Sequence, residues 1–320
     1  MIDLMLPDIK RKKLNYKHII FTVIILIIIG ISIFLCIQSV KRNNTQIAME
    51  NETNNNTNTQ IVNTENVNQE EVKPSDNVIY IIDDKKIANI ANNTLISSMQ
   101  PRLTENAKEK MKHIYASDYK RVFLTFDDGP SKNVTPQILD ILKQNNVKAT
   151  FFVLGNRVDL YPNILKREYD EGHYIANHGY SHQYSSIYAN PYNVLDEFNK
   201  TEYSIRNAIG NQSYNSHLFR FPGGASGGKY AAVKKEAIAL LEQNGIMHVD
   251  WSALTKDAEG KFTKEQLIQN LYDTVGTKQS VVLLMHDAGD KQTTVEALQD
   301  VINYFRAQGY VFENFYDIMK

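Results

Sequence analysis

Two adjacent carboxylates, Asp127 and Asp128, end an apolar run and are followed at once by Gly129-Pro130. The preceding segment, Val122–Phe126, is apolar or β-branched throughout, which predicts a strand buried on both faces, as in parallel sheets. Glycine and proline cannot continue a strand, so the carboxylates stand at its C-terminal end, where parallel α/β folds bind ligands. Neighbouring side chains of an extended chain point in opposite directions, so one carboxylate can hold a metal while the other faces a different partner. Taken alone, an acidic Asx turn is the alternative interpretation.

Two histidines four positions apart, His178 and His182, follow another predicted strand at His173–Ala176. On one face of a helical turn, this spacing lets both imidazoles bind one metal ion. Solvated or core histidines are the usual explanation for such a pair by itself. With Asp128 as a third ligand, the set becomes a His-His-carboxylate site with positions left open for water and substrate.

Two more candidates lie at the ends of later predicted strands. Arg220 could orient a carboxylate through a bidentate contact, or be an ordinary surface arginine before a turn. The glycines after it, beginning with Gly223, let the backbone approach a ligand closely and offer an N–H. The pair His286-Asp287 follows the apolar run Val281–Met285, whereas the His-Asp pair of all-helical phosphohydrolases lies on a helix.

Strand-like and helix-like segments alternate from residue 121 to the end of the chain. The predicted strands are Val122–Phe126, Ala149–Leu154, His173–Ala176, His217–Phe221, Ile246–Trp251, Val281–Met285 and Tyr310–Phe315. The predicted helices are Thr135–Lys143, Leu160–Tyr169, Val194–Ile209, Tyr230–Gln243, Lys264–Val275 and Val295–Arg306. This alternation predicts an α/β fold whose parallel sheet, of about seven strands, closes into a barrel. Such a barrel carries its functional residues at the C-terminal strand ends, where the candidates fall.

Four motifs, in this order, resemble those of the polysaccharide deacetylases, the NodB-homology domain of carbohydrate esterase family 4. They are Thr125-Phe-Asp-Asp-Gly-Pro130, His178-Gly-Tyr-Ser-His182, Arg220-Phe-Pro222 and Leu284-Met-His-Asp287. The resemblance covers about Lys120–Lys320 and implies a distorted (β/α) barrel. It also implies a divalent metal, zinc in the first place and cobalt as an alternative, and removal of N-acetyl groups from amino sugars.

The resemblance implies a role for each residue of the motifs. The metal ligands would be Asp128, His178 and His182. Asp127 would be the general base that activates water, and His286 the general acid that protonates the departing amine. These roles agree with amide hydrolysis, which needs a strong nucleophile, charge stabilisation on oxygen and a proton for nitrogen.

Other residues would support these groups, and two glycines depart from the family pattern. Arg220 would orient the base, the Gly223 N–H would help to stabilise the oxyanion, and Leu284 and Trp251 would line the substrate pocket. Gly223 stands where a tyrosine is common, so the backbone donor survives and the side chain does not. Gly179 stands where many members carry a serine or threonine that orders the loop.

The carboxylate that tunes the catalytic histidine is missing from its usual position. Many members carry an aspartate three residues after the tryptophan that corresponds to Trp251, and this chain has Leu254 there. Asp257 is the predicted partner of His286, and Asp250 is the second candidate.

The N-terminal third of the chain has a different composition. Residues 19–40 contain no charge and are long enough to provide the ~20 residues that a helix needs to cross a bilayer. The basic segment 1–18 predicts an uncleaved, single-pass helix with a cytoplasmic N-terminus, and a cleaved signal peptide is the alternative. Residues 41–77 form an Asn- and Thr-rich linker that is expected to be disordered. Residues 78–118 are an extension, helical from about Thr104 to Tyr115, and 119–320 form the deacetylase domain.

The resemblance and the predicted topology together favour one function. The 320-residue chain has a formal net charge of -1, which gives no support for nucleic-acid binding, and its single cysteine excludes an internal disulfide. We expect a membrane-anchored deacetylase at the cell wall that acts on peptidoglycan N-acetylglucosamine or N-acetylmuramic acid. An O-acetyl esterase and a deacetylase of chitin or another polymer are alternatives. An inactive glycan-binding domain is a third, which Asp127 and His286 disfavour because binding needs neither base nor acid.

Overall fold

The computed structural model of the protein describes residues 99–320. Within these residues the strands are β1 Arg121–Asp127, β2 Thr150–Val153, β3 Tyr174–Asn177, β4 Leu218–Phe219, β5 Met247–His248, β6 Ala253–Leu254, β7 Ser280–His286 and β8 Val311–Glu313. The helices are α1 Glu105–Lys112, α2 Thr135–Gln144, α3 Gly155–Leu160, α4 Pro162–Asp170, α5 Tyr184–Ile187, α6 Pro191–Ile209, α7 Ala231–Gln243, α8 Lys264–Val275 and α9 Gln292–Ala307. A 3₁₀ turn, Phe315–Asp317, follows β8.

The strands form one parallel sheet in the order β5-β4-β3-β2-β1-β7-β6, and β8 pairs with β1. Strand β1 is central: one edge pairs with β7 along its whole length, and the other is shared by β8 and β2. The predicted parallel (β/α) architecture is therefore confirmed, with eight strands in the described residues instead of about seven. The added strand is β6, whose two residues are too few to show a periodic pattern.

The predicted distorted (β/α) barrel is confirmed in part, because the sheet curves as a half-barrel but does not close within the described residues. Between residues 99 and 320 no strand pairing joins β5 to β6, the two ends of the path. Backbone groups in this gap find other partners: the carbonyls of Val249 and Asp250 accept from the Arg220 side chain, and Ser252 donates its N–H to Val282. The result is an open, half-barrel sheet.

The alternation of β1 directs its side chains into two different cores. Leu124 and Phe126 pack into the larger core, between the sheet and its outer helices. Phe123 packs on the inner side of the sheet, in a second cluster with Phe152. Asp127 follows Phe123 by four residues, so it shares this inner face and points into the half-barrel.

The described part of the N-terminal extension packs into the inner core. Helix α1 begins after Thr104, whose side chain accepts the Ala107 N–H, and it covers most of the predicted helical segment. Ala107, Met111 and Ile114 join the cluster of buried residues on the inner side.

All six predicted helices are present. The predicted helix Leu160–Tyr169 corresponds to α4, which begins at Pro162, and the short helix α3, which was not predicted, ends at Leu160. A proline has no N–H for a helix interior, so it begins a new helix at its first turn.

The predicted membrane helix 19–40 and linker 41–77 lie outside the described residues, as does the first part of the extension. Among residues 99–320, no helix has both the length and the apolar character needed to cross a membrane.

Candidate active site

Asp127 ends β1 on the inner face, in register with His286 of β7. Its Oδ1 accepts a hydrogen bond from Arg220 Nη1 at 2.8 Å, and its Oδ2 lies 3.7 Å from His178 Nε2. Burial raises the pKa of Asp127, and the Arg220 charge opposes that rise. Oδ1 is thus fixed by the Arg220 guanidinium, while Oδ2 faces His178.

Arg220 is completely buried, which excludes the surface-arginine alternative. In addition to Asp127, its Nη1 donates to Thr125 Oγ1 at 2.7 Å, and its Nη2 donates to the Asp250 carbonyl at 3.0 Å. The guanidinium carbon lies 3.9 Å from the centre of the Phe152 ring. These contacts fix the planar guanidinium, so the position of the Asp127 carboxylate is fixed with it.

Asp128 turns away from the strand with a φ of 76°, in the left-handed region that non-glycine residues rarely adopt. Its Oδ1 lies 3.4 Å from His182 Nε2 and 3.6 Å from His178 Nε2. One ligand atom from each of these three residues lies within 4.8 Å of the others. Asp128 Oδ1 is buried and has no hydrogen-bond partner in the described part of the chain. A buried, unpartnered carboxylate oxygen facing two imidazole nitrogens fits a divalent cation, and this donor set suits zinc.

The tautomer of His178 is decided by its neighbour. His178 Nδ1 lies 2.8 Å from the Arg220 carbonyl, which can only accept, so Nδ1 carries the proton. Burial lowers the pKa of His178 to about 3, so the ring is neutral. Its Nε2 lone pair is therefore free for a metal, with the other nitrogen held by an outer partner.

The predicted helical turn between His178 and His182 is wrong. This segment is an irregular loop between β3 and α5, in which Gly179 has a φ of 86° and His182 a φ of 56°. The two rings are nevertheless 5.3 Å apart, because the left-handed residues fold the loop back on itself.

Side chains from outside the motif hold this loop. Glu197 Oε2, on α6, accepts the N–H groups of Tyr180 at 2.6 Å and Ser181 at 2.7 Å, and its Oε1 accepts the Ser181 hydroxyl at 2.8 Å. Asn177 Oδ1 accepts the Gly179 N–H at 2.9 Å. These contacts order the loop in place of the hydroxyl that is absent at Gly179.

His286 pairs with Asp257, the first of the two predicted candidates. The distance from His286 Nδ1 to Asp257 Oδ1 is 2.9 Å, and Asp257 Oδ2 accepts the Thr294 hydroxyl at 2.8 Å. Burial lowers the pKa of His286, but the hydrogen bond and charge of Asp257 outweigh it and raise the value to about 9. Asp250 instead accepts the Ala225 N–H at 2.9 Å, so it orders the glycine-rich turn and not the histidine.

One cavity of about 310 Å³ brings nearly all the predicted residues together. Those that line it are Asp127, Asp128, His178, His182, Gly223, Trp251, Asp257, Leu284 and His286. Arg220 lies beneath the cavity and acts through Asp127.

The cavity wall also contains residues to which the sequence analysis gave no role in the site. They are Tyr184, Phe221, Leu254, Lys256, Ala258 and Glu259. Leu254, at the position where the resemblance implies an aspartate, lines the cavity three residues after Trp251. Lys256 directly precedes the predicted residue Asp257, Glu259 follows it by two residues, and Tyr184 follows His182 by two residues. This proximity in sequence was the available signal.

The comparisons with known proteins agree with this arrangement. The chain matches the polysaccharide deacetylase family over residues 115–247. It is 34% identical over 231 residues to the peptidoglycan-N-acetylglucosamine deacetylase PgdA of Listeria monocytogenes, covering 71% of this chain and 44% of that protein. It is 31% identical over 240 residues to a peptidoglycan-N-acetylglucosamine deacetylase of Bacillus cereus, covering 73% and 82% of the two chains. The chain therefore belongs to the polysaccharide deacetylase family, and it spans less than half the length of the Listeria enzyme.

The fold agrees as well. The solved structure of a Streptococcus mutans CE4 esterase superposes with a TM-score of 0.59 at 31% identity, covering 66% of this chain and 91% of that one.

Proposed function

We propose that this chain is a metal-dependent hydrolase that removes N-acetyl groups from the amino sugars of a cell-surface polysaccharide. The observation that carries the proposal is the convergence of three groups in one cavity: the Asp128-His178-His182 set, the Arg220-bound Asp127 and His286. Peptidoglycan N-acetylglucosamine or N-acetylmuramic acid is the favoured substrate, because the Listeria and Bacillus relatives are named for peptidoglycan N-acetylglucosamine.

Asp128, His178 and His182 would hold the cation, zinc in the first place and cobalt as an alternative. The unpartnered Asp128 Oδ1 and the neutral His178 Nε2 support this assignment. A bound divalent cation supplies Lewis acidity, which makes water a better nucleophile and polarises the acetyl carbonyl.

Asp127 is the base in this proposal. Its Oδ1 is held by Arg220, so Oδ2 accepts the proton of the attacking water while the new carbon–oxygen bond forms. Burial raises the pKa of Asp127, which makes the carboxylate a better proton acceptor than an exposed aspartate.

His286 is the acid. Its Nδ1 is paired with Asp257, so Nε2 is the nitrogen that delivers a proton to the departing amine as the carbon–nitrogen bond breaks. The pKa of about 9 keeps the ring protonated at neutral pH. Proton uptake by Asp127 balances proton delivery by His286, and the products are acetic acid and the free amine.

The remaining predicted residues shape the substrate site. Leu284, on β7, presents an apolar side chain to the cavity and would pack on the acetyl methyl. Trp251 lies in the gap between β5 and β6 and lines the same cavity, where it would contact the sugar ring. The Gly223 N–H has no acceptor in the described part of the chain, so it can bind the acetyl oxygen.

O-acetyl ester hydrolysis is a second candidate, because the Streptococcus mutans relative is named a CE4 esterase. The same base and oxyanion donors would serve an ester. An alkoxide leaves more easily than an unprotonated amine anion, so the ester reaction depends less on the proton from His286.

Membrane attachment is also part of the proposal. The charge-free run 19–40 and the basic segment before it support a single-pass anchor with the catalytic domain outside the membrane. The linker 41–77 would let the domain reach the cell wall.

Mass spectrometry of the products tests this function. The purified chain is incubated with peptidoglycan fragments, chitin oligomers and an O-acetylated polysaccharide, with Asp127→Asn as the control. We expect peptidoglycan to lose acetyl groups from nitrogen, and a chelator followed by zinc to abolish and restore the reaction. Loss of acetyl groups only from oxygen would favour the esterase, and no loss from any polymer would contradict an enzyme.

A further inference from the structure

Tyr184 lines the catalytic cavity, yet the reaction described above gives it no role. It lies on the short helix α5, and its ring is 5.5 Å from that of His182, centre to centre. In the described part of the chain its hydroxyl makes no hydrogen bond, and the residue is 41% exposed. A phenol with a free O–H, beside a metal-ligating histidine, is available to a ligand.

The Tyr184 hydroxyl lies directly against Gly223. A Cβ built on Gly223 would be 2.7 Å from Tyr184 Oη and 3.2 Å from two ring carbons, so any other residue would displace the phenol. Gly223 also has a φ of 74°, which favours glycine. Glycine at this position thus makes room for a hydroxyl that comes from a different segment.

The turn that carries Gly223 is held from both sides. Gly224 donates its N–H to the Phe221 carbonyl at 2.8 Å, and the Tyr188 hydroxyl donates to the Pro222 carbonyl at 2.7 Å. Among residues 99–320 the Gly223 N–H is left without an acceptor. Two free donors, one N–H and one O–H, therefore lie side by side on one wall of the cavity.

We propose that Tyr184 is a second oxyanion donor, which binds the acetyl oxygen together with the Gly223 N–H. This inference rests on the proposed deacetylase function. Negative charge develops on the acetyl oxygen as water attacks, and donors already fixed at that point lower the barrier without further reorganisation. A phenol keeps its proton at neutral pH, so it donates as a neutral group.

The competing role for Tyr184 is a platform on which a sugar ring packs. The two roles depend on different atoms, because an oxyanion donor needs the hydroxyl and a platform needs only the ring. Tyr184→Phe removes the hydroxyl and keeps the ring, whereas Tyr184→Ala removes both. Tyr192→Phe is the matched control, because Tyr192 is 71% exposed and does not line the cavity.

Steady-state kinetics of the wild type and the variants, measured on the same substrate, separates the two roles. We expect Tyr184→Phe to lower kcat by about 10²-fold, the lower part of the range for removal of one oxyanion donor. KM and bound metal should stay at wild-type values, and Tyr192→Phe should match the wild type. An unchanged kcat in Tyr184→Phe, with a raised KM only in Tyr184→Ala, would assign Tyr184 to sugar packing and overturn the proposal.

Inhibitor binding provides a readout that a merely structural role would not change. A phosphonamidate analogue of the acetamido sugar carries a tetrahedral anionic oxygen, whereas the deacetylated product carries none. In Tyr184→Phe the inhibition constant of the phosphonamidate should rise by the factor by which kcat/KM falls, and product affinity should not change. If the two affinities change equally, the hydroxyl does not act on the oxyanion.

Gly223→Ala tests the contact itself. The added Cβ should displace the Tyr184 hydroxyl. Gly223→Ala should therefore lower kcat by a smaller factor in a Tyr184→Phe background than in the wild type. If the effects of the two substitutions on the activation free energy simply add, the Tyr184 hydroxyl does not act together with Gly223. If the wild type deacetylates no polymer, the proposed function fails and this inference fails with it; if the wild type is active and Tyr184→Phe equals it, only this inference fails.

Discussion

His286 Nδ1 lies 2.9 Å from Asp257 Oδ1, and the other oxygen of that carboxylate accepts the backbone N–H of His286 at 2.7 Å. Both contacts come from one aspartate, so ring and backbone of the histidine are fixed together. Burial raises the pKa of Asp257, but its hydrogen bonds with His286 and Thr294 outweigh burial and hold the value below the usual range. The pair therefore consists of a carboxylate and an imidazolium at neutral pH.

This pair predicts the alkaline limb of the pH–rate profile. The pKa of His286 is raised to about 9, so the acid is protonated below that pH and the rate falls as pH rises through it. Asp257→Asn removes the charge that favours the imidazolium, so the limb should move to lower pH. The dependence of kcat on pH checks this. Asp250→Asn, which changes a carboxylate bound to Ala225, should leave the limb in place. A limb that does not move in Asp257→Asn would mean that His286 is not the titrating acid.

Substitutions of the neighbouring carboxylates Asp127 and Asp128 should have different effects. Asp127→Asn keeps the shape and loses the proton acceptor, so metal binding should persist while kcat falls by about 10²–10⁴-fold. Asp128→Asn weakens a ligand, so excess zinc should partly restore its rate. Zinc titrations of both variants, with deacetylation as the signal, provide the measurement. Equal rescue of the two variants would show that the roles are assigned wrongly.

Glu197 should control metal affinity without touching the metal. Its carboxylate accepts three hydrogen bonds from Tyr180 and Ser181, in the loop between the two histidine ligands. Glu197→Gln removes the negative charge and replaces one of the two acceptor oxygens with an amide donor, so zinc affinity should fall by about 10–100-fold, as for other outer-shell partners. Competition with a chelating dye measures that affinity. Asp196→Asn is the control, because the neighbouring Asp196 pairs on the surface with Lys200. Equal affinities in both variants would contradict the role of Glu197.

Arg220 should contribute strongly to stability. Arg220→Met leaves the Asp127 charge buried without its partner, which should lower the free energy of unfolding by roughly 3–5 kcal/mol. Asp127→Asn in that background removes the isolated charge and should recover part of the loss. Urea unfolding measures both, with Arg157→Met as an exposed control. A loss in Arg220→Met no larger than in Arg157→Met would mean that the buried pair contributes little.

The topology predicted from residues 1–77 can be tested on cells. Protease added to wall-stripped cells should release a soluble domain, because a cut in linker 41–77 separates it from the anchor. Immunoblotting of the supernatant detects the released fragment, with a cytoplasmic protein as the control for lysis. Release only after lysis would place the domain on the cytoplasmic side.

Most of the candidate site could be predicted from the sequence because short local patterns mark the strand ends that carry it. An apolar run that stops at Asp127-Asp128-Gly129-Pro130 defines a strand end without any tertiary contact. Parallel strands place their C-terminal ends at one edge of a sheet, so residues after β1, β3 and β7 were expected to meet, and in the structure they line one cavity. The alternation of strand-like and helix-like segments likewise predicted the helices and the parallel sheet.

Tertiary structure decided what depends on distances between remote segments. The choice between Asp257 and Asp250 as partner of His286 depends on the path of a loop, and no local pattern encodes that path. Glu197 reaches the histidine loop from α6, and Tyr184 meets Gly223 from a separate segment, so neither contact has a sequence signature. The same holds for the open sheet, where side-chain hydrogen bonds from Arg220 take the place of strand pairing. Contacts of this kind are fixed by how the elements pack together, because packing sets which remote side chains come within hydrogen-bonding distance.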